Sequence, residues 1–457
     1  MDHQNPELES RRSDSFGRLS VASSSRRCSL STSFSLARHS DDVIESESVS
    51  EAGDIGDRAL HSNRVSASGR SHFSLENLAE NGAVVPVQDD NLLEPYSDAA
   101  FPVAPDLENI SPLSADAMVQ HGEKKIDENE IPWLLEYVTC LLSLAVFGIL
   151  GILVRYGLQK LFGPSVIGAT SDRSYMYPDL PSNMVGSFLM GWFGVVFKGD
   201  IVKVSDQLAI GLTTGFLGSL TTFSGWNQKM LDLSVDGRWV FAFLGIFLGL
   251  FLVAYSIIFG IETAKGLKWL LHRRSHTRSC YSDSISHKYY CLSTFMVMLL
   301  LMLALLWSVF GSLARREFDS GSSEAQLFLA CMVGPLGVWI RWYLARLNGR
   351  GLGKNATLKW MPFGTLAANV AAACVMAALA TLKKAVNNKE CNTVANGIQL
   401  GLLGCLSTVS TFVAEFHAMR ESKHPWRAYA YAAITIAVSF TLGTLIYSVP
   451  VWVRAYS

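Results

Sequence analysis

From Trp133 onward the chain consists of long apolar runs separated by short polar segments, and no other feature restricts its possible folds as strongly. About 20 apolar residues in a helix cross the hydrocarbon core of a bilayer, which is about 30 Å thick. We therefore predict nine transmembrane helices, of which the second is short and the third and eighth are rich in Gly, Ser and Thr. They span roughly residues 133–158, 180–197, 207–231, 238–261, 291–312, 325–347, 362–382, 396–419 and 427–449.

Residues 1–125 have the opposite composition, with runs such as 23–25, which is three serines, and few long apolar stretches. Such a segment cannot bury enough apolar surface to offset the entropy lost on ordering. We predict a disordered, Ser/Arg-rich cytoplasmic tail without a cleaved signal. Ser13 and Ser29 follow paired arginines, a pattern that basophilic kinases favour. The alternative is a solvated tail with no switch.

Charge and cysteine content argue against several other classes of function. The net charge is -1 at pH 7, and Lys and Arg gather in short loops and in the tail, so no basic groove indicates a nucleic-acid partner. The eight cysteines lie far apart, without the close pairs of a zinc site, and we interpret them as free thiols. No Gly-x-x-x-x-Gly-Lys-Ser/Thr phosphate loop is present, and we expect no enzymatic activity.

Basic residues in two loops predict the orientation of the chain in the membrane. The loop 262–290 and the loop after the sixth segment are rich in Lys and Arg, which marks both as cytoplasmic. The chain is then a multi-pass protein with a cytoplasmic N-terminus and an extracellular C-terminus. Lys383 and Lys384, in a loop on the other side, weaken this bias without reversing it. The glycosylation sequon at Asn355 is predicted to lie in the cytosol, unmodified.

The second half of the apolar region repeats the first at a constant offset of 186 residues, the distance from Arg155 to Arg341. The same offset places Asn183 on Asn369. It also places glycines on glycines and hydroxyl residues on hydroxyl residues. The matched pairs are Gly148 and Gly334, Gly151 and Gly337, Gly211 and Gly397, Gly215 and Gly401, Gly218 and Gly404, Thr222 and Thr408, and Ser224 and Ser410.

Each repeat has four segments, so the fifth segment adds one crossing and turns the second repeat over. We therefore predict an all-α membrane protein of two inverted four-helix repeats. The first repeat covers residues 133–261 and the second 325–450, joined by the connecting transmembrane helix 291–312. Transport proteins commonly build a central site between inverted repeats of this kind.

The third and eighth segments concentrate Gly, Ser and Thr at 215–226 and 401–412. This composition indicates broken helices, whose freed backbone carbonyls can coordinate a small cation. Close packing of helices through small residues is the alternative interpretation.

The ninth segment has three hydroxyl side chains at intervals of four residues, which places them on one helical face: Tyr431, Thr435 and Ser439. Hydroxyl donors suit a desolvated anion, although Ser and Thr in membrane helices often bond their own backbone instead. At the 186-residue offset the first repeat provides no donor. It has Gly245, Gly249 and Val253 at these positions.

Two further pairs of polar residues lie in the predicted membrane segments. Asn183 and Asn369 each place an amide inside the bilayer, which needs either another helix or a permeating ion as its partner. Arg155 and Arg341 lie near helix ends, where snorkelling or a contact with carbonyls indicates a structural role. The acidic residues, including Glu415, lie near segment ends, which disfavours proton-coupled transport.

The Gly-x-x-x-Arg motifs, the Asn of the second segment and the run Gly-x-x-Gly-x-x-Thr-Thr-Phe-Ser at 215–224 resemble the CrcB/Fluc fluoride channel family. The fused, two-repeat form resembles the eukaryotic fluoride exporters known as FEX. The resemblance covers about residues 133–450. It implies a passive, selective channel that exports fluoride through the plasma membrane and functions as a monomer in the lipid bilayer.

Bacterial members of that family resemble one repeat each and pair antiparallel, forming two pores around a central sodium ion. The resemblance therefore implies that a structural Na⁺ is held by four backbone oxygens, those of Gly218, Thr221, Gly404 and Ser407.

The family's Phe-x-x-Phe pair turns ring edges, which carry partial positive charge, toward fluoride. Here each repeat keeps half of it, as Phe223-x-x-Trp226 and Val409-x-x-Phe412. The resemblance implies that Phe223 with Phe412 completes one working pore, lined also by Asn183, Asn369 and the hydroxyls of the ninth segment. Val409 with Trp226 then leaves the other pore vestigial.

Two other functions stay open at the level of sequence. A secondary transporter of another small solute shares inverted repeats and broken helices, but it usually has a charge at the midplane or a larger site. A nontransporting membrane scaffold explains the Ser-rich tail, but it does not explain the duplicated motifs.

Overall fold

The computed structural model describes residues 133–274, 285–351 and 358–454, and every regular element within those ranges is a helix. The predicted tail 1–125 and the sequon at Asn355 lie outside these residues. Long uninterrupted apolar segments explain the helical content, because a helix satisfies its own backbone groups where water is absent.

The first half contains six helices, numbered α1 to α6. They are α1 (Trp133–Phe162), α2 (Leu180–Val196), α3 (Lys198–Val204), α4 (206–220), α5 (Phe223–Val235) and α6 (Trp239–Arg274). The second half follows a single long helix, α7 (Ile285–Glu317). Its helices are α8 (Ser323–Leu344), α9 (Phe363–Val386), α10 (389–406), α11 (Ser410–Arg420) and α12 (Trp426–Arg454).

Seven of these helical stretches are long and apolar enough to cross a membrane, or eight if the bent pair α2 and α3 counts as one span. The bend between α2 and α3 is 68°. The prediction of nine spans is not confirmed by this measure. The predicted third segment, which corresponds to α4 and α5, is not among the candidates, whereas its counterpart, α10 with α11, is counted as one span, Lys389–Arg420.

The predicted basic loop 262–290 is shorter in the structure than the sequence indicates. Helix α6 continues to Arg274 and α7 already begins at Ile285. The end of an apolar run is not the end of a helix, because polar residues such as Lys and Glu also sustain helical structure in water.

Helix α7 packs against α1 and α8 and has a largely exposed apolar surface. Leu299, Leu303 and Phe310 are buried toward the neighbouring helices, whereas Leu301 and Leu305 are 66% and 63% exposed. An exposed apolar face of this kind suits contact with lipid.

Helices α1 and α8 run antiparallel, as successive contacts between them show. The pairs in contact are Tyr137 with Trp342, Leu141 with Trp339, and Tyr156 with Ser323. The two rings of the first pair lie 5.6 Å apart, Trp339 Nε1 donates to the Leu141 carbonyl over 3.0 Å, and the Tyr156 hydroxyl lies 3.1 Å from Ser323 Oγ. As residue numbers rise along α1 they fall along α8, so the first helices of the two repeats point in opposite directions.

Glycine allows these helices to lie directly against the backbone of α4 and α10. A Cβ added at Gly151 would lie 2.5 Å from the Phe216 carbonyl oxygen. A Cβ at Gly337 would lie 2.1 Å from the Leu402 carbonyl oxygen. Both glycines and both carbonyls are related by the 186-residue offset, so the same close approach occurs in each half.

Gly151→Ala and Gly337→Ala should each lower the thermal unfolding midpoint of the purified protein, because the added methyl meets a backbone oxygen that cannot turn away. Overpacking of this kind typically costs about 1–3 kcal/mol. Gly157→Ala, also in α1, is the matched control, since a Cβ there meets nothing within 4 Å. Equal midpoints for the Gly151 and Gly157 variants would contradict this account of the packing.

Candidate functional site

The predicted third segment is broken at Thr221 and Thr222, between the end of α4 and the start of α5. Thr222 has an extended backbone, with φ -142° and ψ 128°. Its backbone N–H donates to Asn183 Oδ1 over 2.8 Å, and its carbonyl accepts from Asn183 Nδ2 over 3.1 Å. The amide of Asn183 thus replaces the helical partners that the break removes, as a backbone buried in a membrane protein requires.

The second repeat has the same arrangement between α10 and α11. The backbone N–H of Thr408 donates to Asn369 Oδ1 over 2.8 Å, and Asn369 Nδ2 donates to the Thr408 carbonyl over 3.1 Å. Asn183 also has the Tyr177 hydroxyl 3.3 Å away, but Phe363 stands at the equivalent position of the second half. Within the described residues, one N–H of Asn369 therefore has no partner.

The two breaks hold each other together through hydroxyl groups. Thr221 Oγ1 accepts from the backbone N–H groups of Val409 and Ser410, over 3.2 and 3.1 Å. Ser407 Oγ accepts from those of Phe223 and Ser224, over 3.2 and 3.0 Å. Each hydroxyl caps the first turn of a helix in the other repeat. Such reciprocal contacts are the signature of two-fold symmetry between the halves.

Two buried arginines form further hydrogen bonds between the repeats. Arg155 Nη1 donates to the Gly404 carbonyl over 2.9 Å, and Nη2 donates to the Leu400 carbonyl. In the other direction Arg341 Nη2 donates to the Thr214 carbonyl over 2.8 Å. The Arg341 guanidinium also lies directly on Gly218, where an added Cβ would be 1.6 Å from Nη1. Charge-assisted hydrogen bonds to carbonyls thus link the first helix of each repeat to the broken segment of the other repeat.

The carbonyls expected to hold sodium lie at these breaks. Because the N–H groups of Thr222 and Thr408 bond to asparagine, the carbonyls four residues earlier, at Gly218 and Gly404, lose their helical partners. Carbonyl oxygens are suitable ligands for a small cation, and the Gly404 oxygen keeps a second lone pair beside its bond to Arg155. The donor chemistry therefore fits sodium, although two guanidinium groups lie close by.

The structure brings together the two phenylalanines that the family resemblance assigns to one pore. The ring centroids of Phe223 and Phe412 lie 6.1 Å apart at an angle of 51°. Phe412 also packs on Tyr431, the first residue of the hydroxyl track, with centroids 5.1 Å apart. All three side chains are at most 2% exposed. The aromatic pair and the track thus form one continuous buried wall.

Trp226, the counterpart of Phe412, also contacts Phe223, with ring centroids 5.8 Å apart, but its other neighbours differ. Its ring stacks on Tyr177 at 5.8 Å, and its Nε1 donates to the Gly245 carbonyl over 3.3 Å. A Cβ added at Gly249 would lie only 2.8 Å from the indole. Gly245 and Gly249 are the counterparts of Tyr431 and Thr435, so the indole fills space that those larger side chains take up in the second repeat.

The three hydroxyls of the track are fully buried and differ in their bonding. The Tyr431 hydroxyl donates to Glu415 Oε2 over 2.6 Å. Thr435 Oγ1 donates to the carbonyl of Tyr431 over 2.8 Å, which is the local backbone bond expected as the alternative for such residues. Ser439 Oγ has no hydrogen-bond partner in the part of the chain that the structure describes.

Glu415 is a residue of this site that sequence reasoning missed. The sequence predicts it near a segment end, but α11 begins only at Ser410, so Glu415 lies in the middle of a helix and is fully buried. It accepts from Tyr431 over 2.6 Å and from Thr365 Oγ1 over 2.6 Å, and Asn348 Nδ2 lies 3.4 Å away. Glu415 follows Phe412 by three residues, so both side chains lie on one side of the helix. This spacing is the feature of the sequence that could have identified Glu415.

Two cavities of unequal size lead toward the breaks. The larger, of about 670 Å³, reaches Thr222 and Gly404, and the smaller, of about 20 Å³, lies between Arg341, Thr365 and Thr408. Charged residues of both signs line the larger cavity: Arg155, Asp172, Asp179, Lys229, Asp232, Lys383 and Lys384.

The acidic residues of the larger cavity are partly balanced by its cations. Burial raises the pKa of the Asp179 carboxyl, while Arg155 and Gln159 beside it oppose that shift. Lys229 Nζ lies 2.5 Å from Asp172 Oδ1 and 3.8 Å from Asp232 Oδ2. Lys229 is the counterpart of Glu415, so the two halves have opposite charges at this position.

Comparison with known proteins identifies the repeated unit. The family described as "CrcB-like protein, Camphor Resistance (CrcB)" matches residues 142–261 and residues 328–446. The two matches begin 186 residues apart, which reproduces the offset found within the sequence, and together they cover more than half of the chain. No solved structure matches the chain.

Individual relatives are about as long as one repeat. A "Fluoride-specific ion channel FluC" from Geobacter metallireducens is 34% identical over 127 residues, which are 28% of this chain and 98% of the relative. One from Geotalea uraniireducens is 39% identical over 133 residues, 28% of this chain and 97% of the relative. One from Geobacter sulfurreducens is 31% identical over 132 residues, 28% of this chain and 100% of the relative.

Both repeats have the family's domain, and the paired breaks join them into one buried site, so the chain belongs to the CrcB-like family and contains its domain twice.

Proposed function

We propose that this protein is a passive, selective fluoride channel that exports cytosolic fluoride through the plasma membrane. The observation that carries the proposal is the buried wall in which Phe223 from one repeat meets Phe412 and Tyr431 from the other. Ring edges and hydroxyls offer partial positive charge to an anion without holding it as a full cation would. The relatives named as fluoride-specific ion channels support the same anion.

The purpose of such a channel follows from weak-acid chemistry. Hydrogen fluoride crosses membranes and dissociates in the more neutral cytosol, which traps the anion there. A membrane potential that is negative inside then drives fluoride outward through a selective pore. Export needs no nucleotide, and one chain with both repeats can function as a monomer.

The two repeats are proposed to cross the bilayer in opposite senses, with α7 as the additional crossing between them and the broken α4–α5 unit as the third of nine spans. The antiparallel packing of α1 on α8 and the reciprocal contacts at the breaks support this arrangement. In it the larger cavity faces outside and the smaller one faces the cytosol.

The proposed path begins at the smaller cavity, beside Thr365. There Thr365 and Tyr431 each donate their single hydroxyl proton to Glu415, and an entering anion would have to take these bonds over from the carboxylate. The path then passes the Phe223 and Phe412 rings, follows the track and opens into the larger cavity. A sodium ion on the carbonyls of the breaks would add fixed positive charge near the middle of the protein.

The path equivalent to this one in the other half is proposed to be vestigial. Trp226 fills the space beside Gly245 and Gly249, and neither glycine has a side chain that could donate a hydrogen bond to an anion. Lys229 replaces the carboxylate of Glu415, and it pairs with Asp172 instead of orienting hydroxyl donors. One chain therefore provides one conducting path.

One observation favours a second candidate, a proton-coupled transporter of fluoride or another small solute. Glu415 is a buried carboxylate beside the path, and buried acids of membrane proteins often relay protons. Its hydrogen bonds to Tyr431 and Thr365 also explain it as an orienting group, so the candidates differ in whether a proton gradient drives transport.

Purified protein in liposomes loaded with potassium fluoride and potassium chloride tests both candidates. After a potential is set with valinomycin, fluoride should leave the vesicles and chloride should stay, as ion-selective electrodes would record. No ATP or proton gradient should be needed. Retention of fluoride would refute the channel, and release only with a proton gradient would favour the second candidate.

Removing hydroxyls from the track should slow this efflux. Ser439→Ala deletes a donor that has no partner among the described residues, and one lost hydrogen bond to a charged ligand corresponds to a decrease in rate of about tenfold or more. Thr435→Val deletes a hydroxyl that donates to the Tyr431 carbonyl, so we expect a smaller decrease there. Val253→Ala, at the position equivalent to Ser439, is the control and should leave efflux near that of the parent. Gly249→Ala is unsuitable, because its methyl would strike Trp226. Equal losses at Ser439 and Val253 would contradict a single conducting path.

The sodium site is testable without transport. Replacing Na⁺ by N-methylglucamine in the buffer should lower the thermal unfolding midpoint, since a ligand that binds only the folded state stabilises it by mass action. Titration with Na⁺ should restore the midpoint, and K⁺ should do so less well. Midpoints that do not respond to Na⁺ would argue against the site.

A further inference from the structure

Helix α5 of the first repeat lies along α12 from the last track residue, Ser439, onward. Successive residues on one side of α5 contact α12 or its neighbours. Asn227 Nδ2 lies 3.4 Å from the Ser439 carbonyl, Leu231 packs against Gly443, and Ser234 Oγ lies 3.4 Å from Ser448 Oγ. Residue numbers rise together along both helices, so they run parallel. Asn227 is therefore level with Ser439, one turn beyond Phe223 on the side of the larger cavity.

Asn227 and Ser439 together have hydrogen-bond donors that the protein does not use. Asn227 is 6% exposed, and its only described bond, to the Ser439 carbonyl, is long at 3.4 Å. The second N–H of its amide has no partner among the described residues. Ser439 Oγ is fully buried and likewise has none there. Buried donors without partners destabilise a protein unless a ligand or water engages them.

The equivalent positions of the other half lack these donors. The counterpart of Asn227 is Val413, and the counterpart of Ser439 is Val253. Both valines are fully buried. Simple helix packing is thus achieved with apolar side chains at this place in the fold, so packing alone does not explain an amide facing a hydroxyl in the half that has the track.

We propose that Asn227 and Ser439 form a second anion-coordinating position on the outer side of the Phe223–Phe412 pair. The first repeat supplies the amide and the second repeat supplies the hydroxyl. An anion that leaves the aromatic rings meets these two donors before it reaches water in the larger cavity. The inference rests on the proposed fluoride channel, and it gives α5 a role in conduction although the path of its own repeat is vestigial.

The liposome efflux assay with Asn227→Val tests this proposal, since the substitution gives α5 the residue that α11 has at Val413. Efflux should fall about tenfold, as expected for the loss of one donor to an anion, and the thermal midpoint should not fall. Val413→Ala is the matched control and should conduct like the parent. Efflux of Asn227→Val equal to that of the parent would overturn the proposal.

A second pair of variants keeps the test decisive if Asn227→Val does not fold. Asn227→Ser and Asn227→Ala differ by a single hydroxyl, so the serine variant should conduct faster and reach half-maximal efflux at a lower fluoride concentration. Identical efflux from the two would overturn the proposal and leave Asn227 with a structural role only. If the parent protein itself releases no fluoride, the proposed channel function fails, which is a distinct result.

Discussion

The exchange of hydroxyl caps between the two broken helices is the interaction on which the rest of the structure depends. A break inside a membrane protein leaves backbone groups that neither lipid nor water can satisfy. Each asparagine repairs the break of its own repeat, but Thr221 and Ser407 cap the helix starts of the opposite repeat. Neither half can therefore complete its backbone hydrogen bonds alone. The contact between the two breaks places the site at the interface of the repeats.

The two halves remain alike where they contact each other and differ along the proposed ion path. The matched positions are Gly151 and Gly337, Arg155 and Arg341, Asn183 and Asn369, and Thr221 and Ser407. The divergent positions are Trp226 and Phe412, Asn227 and Val413, Lys229 and Glu415, and Gly245 and Tyr431. In the first half the indole of Trp226 fills the space that the ring of Tyr431 fills in the second half, so both interiors are fully packed. The proposed loss of one path is therefore compatible with an intact fold in both halves.

Comparison of the repeats within the sequence predicted the features that recur at a fixed offset. They include the glycines, arginines and asparagines at the contact between the two repeats. It also paired Phe223 with Phe412, through resemblance to a family. Features that depend on three-dimensional packing were not predictable in this way. Glu415 was misplaced because a helix break resets where the next helix starts, and the partners of Arg155 are backbone carbonyls, which every residue has. The position of Asn227 beside Ser439 was not predictable either, because packing sets which face of α5 meets α12.

Opposite insertion of the two repeats is the claim that a single labelling experiment tests most directly. Val166 lies in the loop after α1 and Leu358 in the loop after α8, and both side chains are exposed. Cysteines introduced singly at these positions, in a background without the native cysteines, would be treated in intact cells with a membrane-impermeant thiol reagent. The account predicts labelling of Val166→Cys from outside and of Leu358→Cys only after permeabilisation. Labelling of both from the same side of the membrane would contradict it.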